Sequence, residues 1–444
     1  MRAVEAPAQS DVRRVVRVSA GNFLEMYDFM VFGYYAAAIG RAFFPNQSEY
    51  ASLMLSLMTF GTGYLMRPLG AIVLGAYIDH HGRRKGLLLT LALMAAGTLS
   101  VGCTPGYGTL GLLAPLLVVA GRLVQGLSAG VEIGGVSVYL SEIAPAGRKG
   151  FYVSWQSGSQ QVAVMFAAVI GLILASSLTP PQMLAWGWRI PLIAGCVLVP
   201  FLFLLRRSLS ETDEFLARRH HPDMAEIART LVQNWRLVLL GMMLTTTTTV
   251  TFYLITAYMP TYASTVLHLS AKQSMVVTLC AGLSNFIWLP LMGALSDRVG
   301  RRPLLALFSI LALLTAYPAL AWLVSAPSFA RLLAVALWFS MIFGSYNGAM
   351  VVFLTEIMPA HVRASGFSLA YSLAAGIFGG FTPAISTYLI HLTGNRAMPG
   401  AWLSLAGAMG LTATALLTLP KGSAAPVRRT AEGGKSPGEQ LSPS

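Results

Sequence analysis

Twelve hydrophobic stretches, each long enough to cross a bilayer as a helix, follow one another along the chain and are separated by polar intervals. They cover approximately residues 19–40, 51–78, 86–104, 110–140, 151–177, 186–205, 237–260, 272–296, 303–324, 330–355, 364–391 and 399–419. This pattern predicts an all-α membrane protein with twelve transmembrane helices, in which the fourth stretch is long enough to tilt or to project from the bilayer.

The longest polar interval lies between the sixth and seventh stretches and separates two sets of six helices. The sequence therefore predicts two six-helix bundles, with both termini in the cytoplasm. The predicted parts are a cytoplasmic N-terminal segment (1–18), an N-terminal bundle (19–205), a cytoplasmic linker with a short amphipathic helix (206–236), a C-terminal bundle (237–420) and a disordered cytoplasmic tail (421–444).

Composition and charge support a membrane protein. Hydrophobic residues make up 55% of the chain and charged residues only 11%, about half the charged share of a soluble protein. The net charge of +13 could indicate a nucleic-acid partner, but most Lys and Arg residues fall in the intervals predicted to be cytoplasmic. The basic charge therefore orients the protein in the membrane, and no nucleic-acid partner is expected. The exceptions are Arg41, Arg189, Lys272, Arg331 and Arg396 on the other side, and Arg67 and Arg122 within helices.

Enzymes and receptors are disfavoured by the absence of a nucleotide-binding loop, a nucleophile constellation or a metal-ligand cluster in the sequence. The three cysteines, Cys103, Cys196 and Cys280, lie in apolar stretches without metal-ligand spacing. We therefore expect neither a cofactor nor a metal.

Two pairs of similar segments show that the halves are duplicated. GAYIDHHGRRK (75–85) is matched by GALSDRVGRRP (293–303), which begins 218 residues later. SEIAP (141–145) is matched by TEIMP (355–359), 214 residues later. Parallel repeats of this kind are typical of one large class of secondary transporters.

The repeated GxxxD(R)xGRR pattern resembles the signature loop of the major facilitator superfamily, and the resemblance covers essentially the whole chain. Its glycines allow close helix approach, and its aspartates can accept hydrogen bonds from a facing helix N-terminus and from the arginines that follow. One departure is His80, where the family usually has Arg. The residues expected to form a latch that opens when the halves rock are Gly75, Asp79, Arg83, Glu142, Gly293, Asp297, Arg298, Arg301 and Glu356.

Within the superfamily, GNFLEMYDFMVFGYY (21–35) and LMRPLGA (65–71) resemble the metabolite–proton symporter branch, whose members carry citrate, oxoglutarate, shikimate, or betaine and proline. GLSAGVEIGGVSVYLSEIAPAGRKG (126–150) and FYVSWQSGSQQVAV (151–164) are similar to bacterial citrate–proton symporters and their tricarballylate relatives. The resemblance implies a monomeric carrier in the bacterial inner membrane. It would import citrate or a related tricarboxylate with protons, by rocker-switch alternating access.

Other substrates and another coupling ion stay open. The alternatives are a dicarboxylate, oxoglutarate, shikimate or a betaine-like solute, and sodium in place of protons. The short C-terminal tail has no heptad pattern, which argues against the osmolyte carriers with coiled-coil tails.

Three carboxylic acids lie well inside predicted helices, namely Glu25, Asp28 and Glu132. Glu25 and Asp28 are three residues apart, so they share a helix face with Asn22. Intramembrane acids are costly and usually mark a substrate or proton path. Because no histidine lies mid-membrane, these acids are the candidates for proton coupling, and Asn22 is a candidate for substrate binding.

Arg67 and Arg122 are the basic residues inside helices, and a guanidinium suits bidentate binding of a carboxylate. Arg67 either contacts the substrate or neutralises Glu25 or Asp28 as a structural ion pair. Arg122, in the sequence RLVQG, either contacts ligand or proton or is paired internally. Glycines 126, 130 and 134 are expected to form a helix-packing face. Further polar residues predicted to line the substrate cavity are Gln156, Gln160, Gln161, Tyr253, Asn285, Tyr346 and Asn347.

Overall fold

A computed structural model describes residues 22–81, 83–130, 132–207, 229, 232–359 and 363–417. The predicted N-terminal segment, most of the linker and the C-terminal tail lie outside these residues. So do the side chains of Asn22, Asp79, His80, Arg83 and Glu132, and the surroundings of Gly75.

The described residues of the first half form six helical segments, several of which are broken. Their bounds are Asn22–Tyr34 and Ala36–Phe43 (α1), Glu49–Leu65 and Arg67–His81 (α2), Arg83–Cys103 (α3), Leu113–Ala129 and Glu132–Ile143 (α4), Lys149–Ser177 (α5), and Pro180–Gln182, the π-helical turn Met183–Gly187 and Arg189–Arg207 (α6). A short helix, Tyr107–Leu110, lies between α3 and α4. Segment α6 begins before the predicted residue 186 and bends by 44° near Trp188.

The described residues of the second half also form six segments. Their bounds are Trp235–Tyr253, the π-helical turn Leu254–Tyr258 and Met259–Thr265 (α7), Ala271–Val299 (α8), Arg301–Ser325 (α9), Phe329–Ile357 (α10), Arg363–Ala374, the π-helical turn Ala375–Gly379 and Thr382–Thr393 (α11), and Met398–Leu416 (α12). All twelve segments overlap the hydrophobic stretches in the sequence, so the all-helical prediction is confirmed.

Length and hydropathy single out the membrane-spanning helices among the described residues. Eight are long and apolar enough to cross a bilayer, or nine if the bent α6 counts as one span. Segment α3 falls short because only Leu88–Cys103 is apolar. Segment α1 is not among them, because the charged residues Glu25, Asp28 and Arg41 interrupt its apolar sequence.

Side-chain caps fix several helix starts. The Ser48 hydroxyl accepts from the Ala51 amide at the start of α2, and the Ser328 hydroxyl accepts from the Arg331 amide at the start of α10. Ser270 and Gln273 form a capping box at the start of α8. These contacts satisfy amide groups that the helix itself leaves without acceptors.

The two halves of the bundle meet near both ends of the helices. We call the end that holds the second GxxxD(R)xGRR copy, residues 293–302, the motif end. There, α5 and α8 approach so closely that a β-carbon on Gly293 would lie 2.5 Å from the Gly150 carbonyl oxygen. At the opposite end, the Thr261 hydroxyl donates to the Gly33 carbonyl over 3.1 Å, joining α7 to α1. The charged residues Glu25, Asp28, Arg67 and Arg122 are buried in the interior of the bundle.

Candidate functional site

An ion pair joins α1 to α2 in the enclosed centre. Arg67 Nη2 donates to Glu25 Oε1 over 2.7 Å, and both side chains are almost fully buried. Arg67 begins the second helical piece of α2, directly after the break at Met66. Its guanidinium carbon also lies 4.4 Å from the centre of the Tyr64 ring, which is within range of a cation–π interaction. The predicted pairing of Arg67 with an α1 acid is therefore present, and the partner is Glu25.

The second acid of α1, Asp28, is held by neutral groups. Its Oδ2 atom accepts from the Thr98 hydroxyl of α3 over 2.8 Å and from the Gln125 side-chain amide of α4. The oxygen of the same amide accepts from Arg122 Nη1 over 2.7 Å. Arg122 thus reaches Asp28 through Gln125, and no direct ion pair between them occurs in the described residues.

Both arginines keep buried N–H groups that no described residue accepts. These are Nε and Nη1 of Arg67, and Nε and Nη2 of Arg122. The Oδ1 atom of Asp28 is likewise without a hydrogen-bond partner among the described residues. Buried polar groups in native proteins are nearly always hydrogen-bonded, so such a cluster requires an explanation. Two guanidinium groups with free donors are suited to binding a carboxylate-rich ligand.

The Phe29 ring contacts both arginines. The Phe29 ring centre lies 4.9 Å from the Arg67 guanidinium carbon and 4.2 Å from that of Arg122. The Arg122 guanidinium also lies 4.5 Å from the Phe32 ring centre. Cation–π attraction to these rings partly offsets the cost of burying two like charges.

Glycines bring α2 and α4 together so that their arginines share one site. A β-carbon on Gly126 would overlap the backbone of Gly63, and one on Gly130 would overlap the Arg67 carbonyl. The expected packing role of these two glycines is confirmed, because a larger residue would push the helices apart. Gly134 packs instead on Ser368 of α11.

The polar residues of α5, α8 and α10 bind one another across the two halves. Asn285 Nδ2 donates to Gln161 Oε1 over 3.0 Å, and the Ser340 hydroxyl donates to Asn285 Oδ1 over 2.6 Å. Gln156 Nε2 and both polar side-chain atoms of Asn347 are buried without a partner among the described residues. These last two amides have the hydrogen-bonding capacity that a cavity-lining role requires.

Three other predicted cavity residues are buried, and two of them have identifiable neighbours. Tyr253 packs edge-on against Tyr64, with ring centres 4.9 Å apart, which places it beside the Arg67 site. Tyr346 donates its hydroxyl to the Leu244 carbonyl over 2.8 Å, so it ties α10 to α7. Gln160 is also buried. A ligand role for each of them stays a prediction.

At the motif end, Asp297 caps the N-terminus of α5. Its two oxygens accept from the Gly150 and Phe151 amides over 2.8 and 3.1 Å, and its Oδ1 lies 2.7 Å from Arg301. Arg301 also lies 3.3 Å from Glu356. These are the contacts expected for the second GxxxD(R)xGRR copy, whereas Arg298 and Glu142 are exposed. That the arrangement acts as a latch stays a prediction.

The chain is similar in sequence to known transport proteins. Residues 14–418 match the sugar (and other) transporter family. The chain is 59% identical over 403 residues to citrate–proton symporters of Salmonella typhi and Klebsiella pneumoniae, covering 91% of this chain and 93% and 91% of theirs. The chain belongs to the sugar (and other) transporter family. It is therefore a membrane transporter and not an enzyme.

More distant relatives support the family fold. This transporter is 34% identical over 375 residues to the alpha-ketoglutarate permease of Escherichia coli, covering 84% of this chain and 86% of that one. Its structure matches that of a D-xylose–proton symporter with a TM-score of 0.73 at 18% identity, covering 92% of this chain and 97% of the other. The match shows the major facilitator fold.

Sequence reasoning missed three residues of the transporter's central site, namely Thr98, Gln125 and Phe29. Gln125 lies within the RLVQG sequence that singled out Arg122, three residues after the arginine and hence on the same helix face. This spacing is the feature of the sequence that could have identified Gln125 as a site residue. Thr98 and Phe29 stand in apolar runs, where neither residue type is unusual.

Proposed function

We propose that the protein imports citrate or a related tricarboxylate into the bacterial cell together with protons, across the inner membrane. The extent and level of identity to two citrate–proton symporters support this substrate and this coupling ion. The central site supports the substrate class independently, because it buries two arginines.

The observation that carries the proposal is the set of free guanidinium donors around Phe29. Arg67 uses one nitrogen for Glu25, and Arg122 uses one for Gln125, so each arginine keeps two nitrogens for a ligand. A carboxylate accepts two parallel hydrogen bonds from one guanidinium. Two guanidinium groups that contact the same ring can therefore bind two carboxylates of the same substrate.

Asp28 is the better proton carrier of the two acids with described side chains. Glu25 forms an ion pair with Arg67, so protonating it would break that pair. Asp28 accepts from a hydroxyl and an amide, which also bind a protonated acid. Glu132 stays a further candidate, and its side chain lies outside the described residues.

The membrane potential explains why protons are needed. Moving one elementary charge against about 100 mV costs roughly 2.3 kcal/mol. A trianion entering a negative interior would face about 7 kcal/mol at the same potential. Co-transport of around three protons makes entry electroneutral, although citrate itself can carry part of them.

We propose that transport proceeds by rocking of two six-helix bundles, residues 19–205 and 237–420, which are joined by the linker 206–236. In this proposal both termini lie in the cytoplasm and the protein acts as a monomer. Asp297, Arg301 and Glu356 would hold the motif end closed, and their contacts with α5 would break when that end opens. The glycine contact between α5 and α8 supports this, because it leaves no room for substrate passage in the present arrangement.

The proposal is tested with purified protein in liposomes. We expect labelled citrate to accumulate under an inward proton gradient and the accumulation to collapse on addition of a protonophore. Competition by unlabelled tricarboxylates, oxoglutarate and shikimate then ranks the substrates. Absence of proton-driven citrate uptake would contradict the proposal, and sodium-dependent uptake resistant to the protonophore would overturn only the coupling ion.

A further inference from the structure

We infer that Gln125 is a positioning residue that transmits the protonation state of Asp28 to Arg122. The inference rests on the proposed function and adds a link between its proton carrier and its substrate-binding arginine. The single side chain of Gln125 contacts both, donating to Asp28 through Nε2 and accepting from Arg122 through Oε1.

The chemistry of the two neighbours fixes the orientation of the amide. Arg122 has only donors, so it must face the amide oxygen, and ionised Asp28 has only acceptors, so it must face the amide nitrogen. Glutamate at position 125 would repel Asp28, and an apolar residue could bind neither neighbour. An amide is thus the side chain that joins this cation to this anion without an ion pair.

The surroundings hold the Gln125 side chain in place. Only 1% of its surface is exposed. Its stem packs on Gly97 of α3, where a β-carbon would overlap the Gln125 side chain and lie 2.6 Å from the Gly121 carbonyl. The amide nitrogen also lies 3.1 Å from the Thr98 hydroxyl, which itself donates to Asp28. The packing leaves the amide little freedom to turn away from Asp28 while Asp28 is ionised.

Protonation of Asp28 changes what Arg122 can bind. A hydrogen bond to an ionised carboxylate is roughly twice as strong as one to a neutral group, and it polarises the amide so that the oxygen holds Arg122 more tightly. When Asp28 takes up a proton, the bridge weakens and Nη1 of Arg122 can join Nε and Nη2 in binding a substrate carboxylate. Proton binding therefore favours substrate binding, and by linkage the reverse also holds.

Other charged or titratable groups near Asp28 do not provide this link. Tyr27 lies beside it on α1 and Cys196 faces it from α6, and both interact with it electrostatically. Arg122 and Tyr64 face the cluster from α4 and α2. Within the described part of the chain, none of Tyr27, Cys196 and Tyr64 hydrogen-bonds both Asp28 and Arg122.

The experiment measures the affinity of the purified full-length protein for labelled citrate at a series of pH values, in wild type and in Gln125→Met. Each proton taken up with the substrate changes affinity by about tenfold per pH unit. Ionisation of citrate itself contributes equally to both proteins. We expect the slope of log affinity against pH to be about one unit shallower in Gln125→Met.

The matched control is Ser128→Ala. Ser128 lies one turn further along α4 and donates to the main-chain carbonyl of Gln125, so this variant disturbs the same turn without touching the amide bridge. We expect it to keep the wild-type slope. If Gln125→Met does not fold, Gln125→Asn serves in its place, because the shorter side chain keeps the amide but cannot reach both Asp28 and Arg122.

The outcomes separate the inference from the proposed function. If the affinity of the wild type depends on pH and the slope is equally steep in Gln125→Met or Gln125→Asn, the role of Gln125 alone is overturned. A Ser128→Ala variant as shallow as Gln125→Met also overturns it, because any damage to this turn would then suffice. A wild type that binds no citrate, or binds it without coupling to protons, overturns the proposed function and the inference with it.

Discussion

Arg67 and Asn285 occupy equivalent positions in the duplicated halves, 218 residues apart. Their polar side-chain atoms find different kinds of partner. Arg67 forms an ion pair with Glu25 inside its own half and keeps two nitrogens free. Asn285 forms neutral hydrogen bonds to Gln161 of the other half and to Ser340. The buried charges of the central site lie in the first half, whereas this neutral amide joins the halves.

The difference shows how a duplicated fold can divide its tasks. A buried charge is tolerated when it is paired, and it exerts a strong field on a ligand that enters an enclosed site. A buried amide is less costly and can exchange partners when helices move. The first half is therefore suited to binding an anion and a proton, and the second half to forming the moving wall.

The largest expected effect is that of Arg67→Met, which sharpens the comparison. It leaves the Glu25 carboxylate buried without its arginine, so we expect a loss of about 3–5 kcal/mol in stability and loss of citrate uptake. Asn285→Leu breaks neutral hydrogen bonds, so we expect it to lower the free energy of unfolding by about 1–3 kcal/mol. Denaturant unfolding of the purified proteins in detergent measures both.

The double variant Glu25→Gln/Arg67→Met serves as the control for charge. It removes both members of the ion pair, so part of the lost stability should return, although citrate uptake should not. If Arg67→Met and Asn285→Leu cost the same, the contrast between a charged and a neutral half is wrong.

A smaller effect is expected at the motif end, where Asp297→Asn removes the charge that faces Arg301 and the α5 amides. Asparagine has only one oxygen to accept from Gly150 and Phe151, so those amides should exchange hydrogen about tenfold faster, equivalent to about 1.4 kcal/mol. Hydrogen-exchange mass spectrometry of the peptide covering residues 149–154 gives the measurement.

Arg302→Gln is the control for the same loop, because Arg302 donates to the Thr414 carbonyl of α12 and not to α5. Exchange at residues 149–154 should be unchanged in that variant. Unaltered exchange in Asp297→Asn would show that Asp297 does not hold the two halves together.

The smallest effect is expected for the ion pair between Arg41 and Glu49, whose atoms lie 2.5 Å apart on the surface. The two side chains are 49% and 83% exposed. Exposed pairs contribute about 0–1 kcal/mol, so Glu49→Gln should change the unfolding midpoint little and leave citrate uptake intact. A loss comparable with that of Arg67→Met would mean that burial is not what makes the central charges important.

The twelve continuous hydrophobic stretches predicted the helical fold, because a segment that crosses a membrane must satisfy its backbone hydrogen bonds within itself. It did not predict the internal breaks, such as the π-helical turns Leu254–Tyr258 and Ala375–Gly379. These turns depend on tertiary contacts, as where Gly379 packs against Tyr253. The duplicated loops did predict the capping of α5 by Asp297, since the motif specifies both the acid and the arginine.

Only the charged residues of the central site could be predicted from the sequence. Glu25, Asp28, Arg67 and Arg122 stand out because ionisable residues are costly in a membrane. Which acid pairs with which arginine depends on the rotation and approach of α1, α2 and α4, which the sequence does not encode locally. The spacing of three residues could have linked Gln125 to Arg122 on the same helix face, but nothing near it in the sequence shows that Asp28 is its other partner.

The most direct test of the account compares two transport modes of Asp28→Asn in liposomes. Citrate exchange between equal solutions needs substrate binding but no net proton movement, whereas accumulation against a gradient needs both. We predict that Asp28→Asn retains exchange and loses proton-driven accumulation. Accumulation at the wild-type level with the wild-type pH dependence would contradict the account.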